Sequence, residues 1–195
     1  MVDGKGTLAT AELVHAQGKQ CLLKVIERQT VDARPFSVHI AVAPTKNIDR
    51  LEWFLEKATE LGIESITPVL FQHSERKIIK PERLQKIIVA AMKQSQRLHL
   101  PVLHPLTSFT DFVSLPHSGQ RFVAHCAEGE KESLQHACES GKDTVVVIGP
   151  EGDLSAAEIE QAQANGFRPV TLGEVRLRTE TAALAACHIV NLKNE

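Results

Sequence analysis

Residues 145–154 read VVVIGPEGDL, a short apolar run that passes into a turn from Gly149 to Gly152. Ser155 and Glu158 follow with the three-residue spacing of a capping box, which predicts that a helix begins there. In α/β proteins, ligands bind at the carboxyl ends of parallel strands, and glycine lets a ligand approach the backbone closely. The stretch is therefore either a tight turn between a strand and a helix or a ligand-binding loop.

Around this stretch, apolar strands alternate with amphipathic helices. Apolar residues that recur at intervals of three and four residues predict helices at Asn47 to Leu61 and Pro81 to Arg97. The capping box predicts a third helix that runs to Ala164 and is closed by Gly166. The predicted strands are Phe36 to Val42, Ser65 to Leu70, Pro101 to His104, Arg121 to Cys126, Thr144 to Ile148 and Arg168 to Leu172. This alternation predicts an α/β fold with a mainly parallel sheet covered on both faces.

The first 34 residues follow a different pattern. Two strands are predicted, Leu8 to His15 and Cys21 to Glu27, joined by a turn at Gln17, Gly18 and Lys19. Two strands alone cannot bury a core. The segment is therefore either a hairpin packed on the main domain or the tail of a domain whose beginning is missing.

Length and composition limit the class of protein. The chain has 195 residues and 43% apolar residues, no apolar run exceeds six residues, and no basic and apolar leader follows Met1. These features predict a globular cytoplasmic protein without a membrane span. The net charge of −2 hides an asymmetry, because residues 1–105 hold 15 Lys and Arg against 11 Asp and Glu, whereas residues 106–195 hold 7 against 13.

Cysteines and histidines give no metal or disulfide pattern. The four cysteines form no CxxC pair, and the nine histidines form no HExxH motif, so we expect neither a disulfide framework nor a metal site. Cys126 and Cys187 lie in apolar stretches, which favours small buried thiols over a catalytic nucleophile.

The segment from Arg76 to Arg97 contains seven basic residues and one acidic residue, Glu82. It is either a solvated helix face or a surface that contacts the phosphates of a nucleic-acid backbone. The excess of basic over acidic residues favours the second interpretation. The low aromatic content of 4% argues against binding a single strand by base stacking, so folded RNA fits better.

Two further strand ends carry polar residues. One, after Leu172 and Gly173, holds Arg178 and Glu180; these two could form an ordinary helix start with a surface partner, or they could face a pocket. The other strand end carries His125, which either faces a ligand site or, as is more common for a histidine in a strand, packs in the core. The sequence contains neither GxxxxGK[ST] nor GxGxxG, which disfavours the usual triphosphate and dinucleotide sites.

The last predicted helix is apolar on almost every side over Ala182 to Cys187. Such a helix must be covered either by a core or by another chain. We expect a homodimer interface in a protein of this size.

Four motifs together resemble the RsmE-type 16S ribosomal RNA uridine-N3 methyltransferases of the SPOUT superfamily. They are KATELG at 57–62, AMKQSQR at 91–97, IGPEGDL at 148–154 and LRTETA at 177–182. The resemblance implies an α/β domain at 35–195 with a carboxyl-terminal trefoil knot, which would be an exception to the rule that chains do not thread loops. It also implies that residues 1–34 are part of a PUA-like RNA-binding domain.

The same resemblance implies S-adenosylmethionine as the cofactor, a homodimer, and 16S ribosomal RNA or the small ribosomal subunit as the partner. It implies Arg178 and Glu180 as catalytic residues. The cofactor-binding residues that it implies are Ala127, Glu128, Ile148, Gly149, Pro150, Glu151, Gly152, Leu172, Gly173, Leu177, Arg178 and Thr179. With the basic segment, it implies RNA contacts at Lys46, Arg50, Arg76, Lys77, Arg83, Gln94 and Arg97.

For such a reaction, the protein must align the methyl donor with the acceptor nitrogen and assist the loss of the proton on uridine N3. Arg178 is the candidate for orienting the uracil or its phosphate, and Glu180 for holding Arg178 or contacting the cofactor. Two alternatives from other classes are a non-catalytic RNA-binding module and a metabolic enzyme that binds phosphate at Gly149 to Gly152.

Overall fold

The computed structural model describes residues 1–18 and 20–195. The predicted turn at Gln17, Gly18 and Lys19 includes Lys19, which lies outside the described residues. The flanking strands are β1 (Thr7–Gln17) and β2 (Gln20–Thr30), which pair antiparallel and are both longer than predicted.

A larger sheet forms the centre of the molecule. Its strands are β3 (Val38–Val42), β4 (Ser65–Leu70), β5 (Val102–Leu103), β6 (Thr107–Ser108), β7 (Gln120–Ala124), β8 (Glu132–Ser133), β9 (Thr144–Ile148) and β10 (Arg168–Thr171). They are arranged in the order β5-β4-β3-β9-β7-β10-β8, with β6 beside β4, and each of these pairs is parallel. The predicted parallel α/β sheet is confirmed.

In the part of the chain that the structure describes, six helices lie around the sheet: α1 (Ile48–Leu61), α2 (Pro81–Gln94), α3 (Phe109–Ser114), α4 (Leu134–Ala137), α5 (Ala156–Ala164) and α6 (Thr179–Leu192). Asn47 caps α1 by accepting a hydrogen bond from the Asp49 amide, and the predicted capping box at Ser155 is present. The prediction for α2 ran three residues too far. The helix ends at Gln94 because Gln96 adopts a left-handed φ of 55°.

Alternate residues of the central strands enter two separate cores. Val146 packs with Leu55 and Cys187 on one face of β9, whereas Val147 packs with Phe112 and Phe167 on the other face. This arrangement follows from the two-residue period of a strand that is covered on both sides.

The α6 helix contributes Ala183, Ala186, Cys187 and Val190 to the first core, and all four are fully buried. The opposite side of α6 is open, and Leu192 is 52% exposed. Within one chain, the helix is therefore covered on one side only.

The predicted burial of Cys187 is confirmed, and burial raises the pKa of its thiol to about 12. The predicted burial of Cys126 is wrong, because β7 ends at Ala124 and leaves Cys126 exposed beyond the edge of the sheet.

The hairpin of β1 and β2 contacts the rest of the chain at its base. Gly6 donates an amide hydrogen bond to Leu98 O (2.9 Å), and Leu100 donates one to Gly4 O (2.9 Å). Beyond this base the strands are largely exposed, and Leu22 and Ile26 on β2 are 61% and 63% exposed. The hairpin is therefore attached to the main domain at its base, and most of both strands is exposed.

No helix within residues 1–18 and 20–195 combines the length and apolar character needed to cross a membrane.

Candidate functional site

A cavity of about 750 Å³ lies where β7, β9 and β10 end. The carboxyl ends of these adjacent parallel strands meet at one edge of the sheet, so the loops that follow them surround a shared space. Its lining residues are Ala124, His125, Cys126, Lys131, Ile148, Gly149, Pro150, Glu151, Asp153, Val170, Thr171, Leu172, Gly173, Glu174, Val175, Arg176, Leu177, Arg178, Thr179 and Ala182.

Most of the residues predicted to bind the cofactor share this lining. They are Ile148, Gly149, Pro150, Glu151, Leu172, Gly173, Leu177, Arg178 and Thr179. The other three lie elsewhere. Ala127 and Glu128 are exposed, and a Cβ placed on Gly152 would lie 3.1 Å from the Cβ of His73, outside the cavity lining.

Several lining residues were not predicted, among them Cys126, Lys131 and Asp153. Asp153 adopts a left-handed φ of 63°, and its carboxylate accepts a hydrogen bond from the Cys126 amide (2.9 Å). The Lys131 ammonium donates to the carbonyl of His125 (3.1 Å) and to that of Ala127. The Asp153 bond fixes the loop after β7 against the loop after β9, and the Lys131 bonds close the loop after β7 on itself. For Cys126, its position at the end of a predicted strand was the available signal.

Glu151 joins the cavity to the loop after β3. Its carboxylate accepts a hydrogen bond from the amide of Lys46 (3.0 Å). Arg76 holds the same loop from outside, donating to the carbonyls of Thr45 (3.0 Å) and Lys46 (2.7 Å). Arg76, predicted to bind RNA, therefore already uses part of its guanidinium to hold a loop in place.

Glu180 lies behind the cavity wall in the first turn of α6 and is only 7% exposed. The expectation that it holds Arg178 is wrong, because its ion-pair partner is Arg50, with Arg50 Nε 3.8 Å from Glu180 Oε1. The reason is helical geometry: residues two apart point in different directions, so buried Glu180 faces α1 while Arg178 stays exposed. The second oxygen of Glu180, Oε2, is buried without a hydrogen-bond partner among the described residues.

His125 lines the cavity, and both of its ring nitrogens are buried without a hydrogen-bond partner in the described part of the chain. Burial lowers the pKa of His125, and the nearby charge of Lys131 lowers it further. The ring is therefore neutral near pH 7 and has one donor and one acceptor to offer. Buried polar groups without partners are uncommon and often mark a position that a ligand completes.

Four of the residues predicted to bind RNA make contacts within the chain that engage their charge. Lys46 pairs with Glu75 (2.8 Å), and Arg83 pairs with Glu52 (2.5 Å). Arg50 and Arg76 make the contacts described above.

The other three RNA-contact candidates differ from one another. Lys77 and Gln94 are exposed, and their side chains make no hydrogen bond within residues 1–18 and 20–195. Arg97 is half-buried and donates to the carbonyl of Glu60 (3.1 Å). Burial lowers the pKa of Arg97, with the neighbouring Arg34 adding to the effect.

Across the described ranges, 1–18 and 20–195, no group of three or more His, Cys, Asp or Glu is arranged to hold a metal ion.

Comparison with known proteins places this geometry in a family. A family model described as an RNA methyltransferase domain matches residues 32–191, which include the whole large sheet and the cavity. The chain belongs to the RNA methyltransferase family. The match omits the hairpin, whose strands β1 and β2 pair with each other and not with the large sheet.

Among curated members of this family, the Ribosomal RNA small subunit methyltransferase E of Rickettsia conorii is 31% identical over 158 residues. The alignment covers 78% of this chain and 63% of that protein, so the chain spans somewhat less than two thirds of the relative's length.

Two solved structures resemble this RNA methyltransferase chain along most of its length. A probable rRNA-methyltransferase from Porphyromonas gingivalis is 36% identical with a TM-score of 0.93, covering 99% of this chain and 83% of that one. A Ribosomal RNA small subunit methyltransferase E from Neisseria gonorrhoeae, bound to S-adenosyl methionine, is 29% identical with a TM-score of 0.76, covering 95% and 78%.

Proposed function

We propose that this protein transfers a methyl group from S-adenosylmethionine to N3 of a specific uridine in 16S ribosomal RNA of the small ribosomal subunit. One observation carries the proposal: the loops after β7, β9 and β10 enclose a single cavity of about 750 Å³. That size lies within the range of cavities that enclose cofactor-sized ligands. The Neisseria gonorrhoeae relative, which binds S-adenosyl methionine, supports the choice of cofactor.

The residues present fit that cofactor. Ile148, Leu172 and Leu177 supply apolar surface for a flat adenine ring, and Gly149 and Gly173 leave the backbone open to the ligand. Polar cavity residues are available for the ribose hydroxyls and the methionine end; they are His125, Glu151, Thr171 and Thr179. S-adenosylmethionine, when bound, supplies a methyl group that its sulfonium has already activated.

The remaining work of the reaction falls to the chain's own side chains. Arg178 is exposed at the rim of the cavity, where its planar fork of donors would orient the uracil or its phosphate and stabilise charge on the uracil oxygens as N3 loses its proton. Glu180 acts as a positioning residue, since it lies beneath this rim and pairs with Arg50 of α1. Exposed Lys77 and Gln94 would contact RNA.

The finer features of the fold belong to the same proposal. The region 35–195 would form the knotted SPOUT domain, because loops from three strands far apart in sequence wrap one cavity. Residues 1–34 would be part of a PUA-like unit, a division supported by a hairpin that pairs with itself and lies outside the family match.

A homodimer is also part of the proposal. Leu184 and Ile189 of α6 are half-buried and Leu192 is exposed, so an apolar side of this helix is open to a second copy. A protein that modifies ribosomal RNA would act in the cytoplasm.

The proposal is tested by calorimetric titration with S-adenosylmethionine, followed by a tritiated-methyl assay on small subunits that lack the modification. The unsubstituted protein should bind the cofactor and label the RNA. Arg178→Ala should abolish labelling while cofactor binding is retained, and Glu160→Ala, on the exposed side of α5 and outside the cavity lining, is the control.

The other outcomes separate the alternatives. RNA binding without any response to S-adenosylmethionine would identify a non-catalytic RNA-binding module. A response to nucleotides alone would favour a metabolic enzyme that uses Gly149 to Gly152 for phosphate. Unchanged turnover in Arg178→Ala would remove Arg178 from the mechanism.

A further inference from the structure

A second cavity, of about 330 Å³, lies at the opposite edge of the parallel sheet, where the strands begin. Arg121 lies near the start of β7, and Arg168 is the first residue of the neighbouring β10. Because the two strands are parallel and paired, their amino ends place both arginines at the same edge. The lining residues are Gly119, Gln120, Arg121, Glu139, Lys142, Gly166 and Arg168.

Each of these two guanidinium groups is supported by an aromatic ring. The Cζ of Arg168 lies 4.8 Å from the centre of the Phe122 ring, and that of Arg121 lies 5.9 Å from the centre of the Phe167 ring. The rings restrict the rotation of the guanidinium groups, so less conformational freedom is lost when a ligand binds.

Most of the hydrogen-bonding capacity of both groups is unused. Arg121 Nη1 donates to the carbonyl of Asn165 (3.1 Å), and Arg168 Nη2 donates to the carbonyl of Ala137 (2.9 Å). A guanidinium carries five N–H donors. Within residues 1–18 and 20–195, no carboxylate forms a salt bridge with either arginine.

The cleft also carries an excess of positive charge. Its one carboxylate, Glu139, is paired with Lys142 (2.6 Å) and also interacts with the charge of Arg168, so three cations and one anion leave the lining with an excess of two positive charges. Gly166 keeps space open beside Arg121, because an added Cβ would lie 2.9 Å from Arg121 Nη2. Arg168 pairs in register with Phe122, the residue after Arg121, so the two arginines leave opposite faces of the sheet and line the cleft from two sides. Cationic forks with free donors on both sides of a cleft are suited to a tetrahedral oxyanion.

We propose that this cleft binds a phosphate group, with Arg121 and Arg168 as its hydrogen-bond donors. The phosphate could belong to an RNA backbone or to a free phosphate compound, since both present the same oxygens. The inference does not depend on the proposed methyl transfer, because the cleft lies at the edge of the sheet opposite the first cavity.

The test is a titration of the full chain with inorganic phosphate, followed by calorimetry and by the NMR signals of the arginine Nε–H groups. The signals of Arg121 and Arg168 should shift. Arg121→Gln with Arg168→Gln should weaken phosphate binding by about tenfold or more, because two charge-assisted donors are lost. Arg28→Gln, which removes an exposed arginine of the hairpin, should have no effect.

Two controls keep the test decisive. Arg168→Lys keeps the charge and removes the fork, so an intermediate loss of affinity is expected if bidentate binding operates. Unchanged S-adenosylmethionine binding and an unchanged Tm in the double variant show that the fold is intact. A failure of the cofactor titration in every variant would count against the methyl-transfer proposal and not against this one.

Competition then identifies the source of the phosphate. If an RNA duplex displaces phosphate from the unsubstituted protein, the cleft is a backbone contact; if it does not, the ligand is a small phosphate compound. Equal phosphate affinity in the unsubstituted protein and the double variant would overturn the proposal, as would static Nε–H signals of both arginines up to about 10 mM phosphate.

Discussion

Arg50 of α1 and Glu180 of α6 form an ion pair across the wall of the candidate cofactor cavity, with Nε and Oε1 3.8 Å apart. The carboxylate is buried in the first turn of its helix, whereas the guanidinium reaches the surface. This pair connects the helix that begins at the cavity rim with the helix that follows the loop of Lys46.

Glu180→Gln should reduce methyl transfer by about tenfold or more while cofactor affinity changes little, because the carboxamide keeps the shape of the side chain and loses the charge that positions Arg50. The expected signature is a fall in kcat with little change in Tm. Glu160→Gln, on the exposed side of α5, is the control. Equal loss of cofactor binding would show that Glu180 contacts the ligand itself.

Exposed Lys77 and paired Arg83 should contribute differently to RNA binding. Lys77→Gln should reduce the slope of log affinity against log salt by about one, because a free cation releases one counterion when it meets a phosphate. Arg83→Gln should reduce it less, since Glu52 and Asp49 already neutralise that guanidinium. Filter binding over a salt series measures both, and equal slopes would contradict this ordering.

The sequence was sufficient for the long elements of the fold. The helix to Leu61 and the strands at Ser65–Leu70 and Thr144–Ile148 carry enough apolar residues to show their period, and their predicted bounds agree with the structure to within a residue. The short helices at Phe109–Ser114 and Leu134–Ala137 were not predicted, because one or two turns are too few to display a period of 3.6 residues.

The candidate site was only partly predictable for a similar reason. The strand-end rule identified Ile148, Gly149 and Leu172 as cavity residues. Contacts such as Glu151 with Lys46, 105 positions apart, depend on which strands become neighbours in the sheet, and no local pattern encodes that. The sequence places Glu180 two positions from Arg178, whereas its ion-pair partner in the folded chain is Arg50.

The folded protein should lose stability in mild acid because of His39. Burial lowers the pKa of His39 to about 3, with the charges of His104 and His117 adding to the shift, against an ordinary value of 6.5. Below pH 6.5 the unfolded chain takes up a proton that the folded chain excludes. The free energy of unfolding should therefore fall from pH 6.5 toward 3, by up to about 1.4 kcal/mol per pH unit.

His39→Gln should remove this part of the acid sensitivity, because glutamine has no proton to gain and still offers a partner to Thr67, whose hydroxyl lies 2.8 Å from His39 Nε2. Urea unfolding at pH 7.5 and pH 5 measures the difference. The gap between the two pH values should shrink by about 2 kcal/mol in the variant. A gap equal to that of the unsubstituted protein would assign the acid sensitivity to other groups.

The capping box of α5 should contribute more to the free energy of unfolding than a single capping hydrogen bond does. Glu158 is buried and accepts hydrogen bonds from the Ser155 amide (2.8 Å), the Ser155 hydroxyl (2.9 Å) and the Gln72 amide (2.8 Å). Ser155→Ala should lower the free energy of unfolding by about 1 kcal/mol, and Glu158→Ala by about 2 to 3 kcal/mol because three donors lose their acceptor. Exposed Glu160→Ala on the same helix should change it by less than about 0.5 kcal/mol.

The open side of α6 should mediate the proposed dimer. His188 and Leu192 lie four residues apart on this side, and both are exposed in the single chain. Substituting both with glutamate would bring like charges together across a two-fold interface and bury them, so the dimer should dissociate. Size-exclusion chromatography with light scattering at micromolar protein measures the mass.

The control for this prediction is Leu22→Glu, which removes an apolar side chain from the hairpin that is slightly more exposed than Leu192 and should leave the dimer intact. Comparing the two variants decides between two interfaces, because exposed apolar residues occur on both the hairpin and α6. Of these two elements, α6 is the one that adjoins the cavity rim, through Thr179 and Ala182. If Leu22→Glu gives the monomer and the α6 variant does not, association occurs through the hairpin. A monomer in the unsubstituted protein would exclude both interfaces at that concentration.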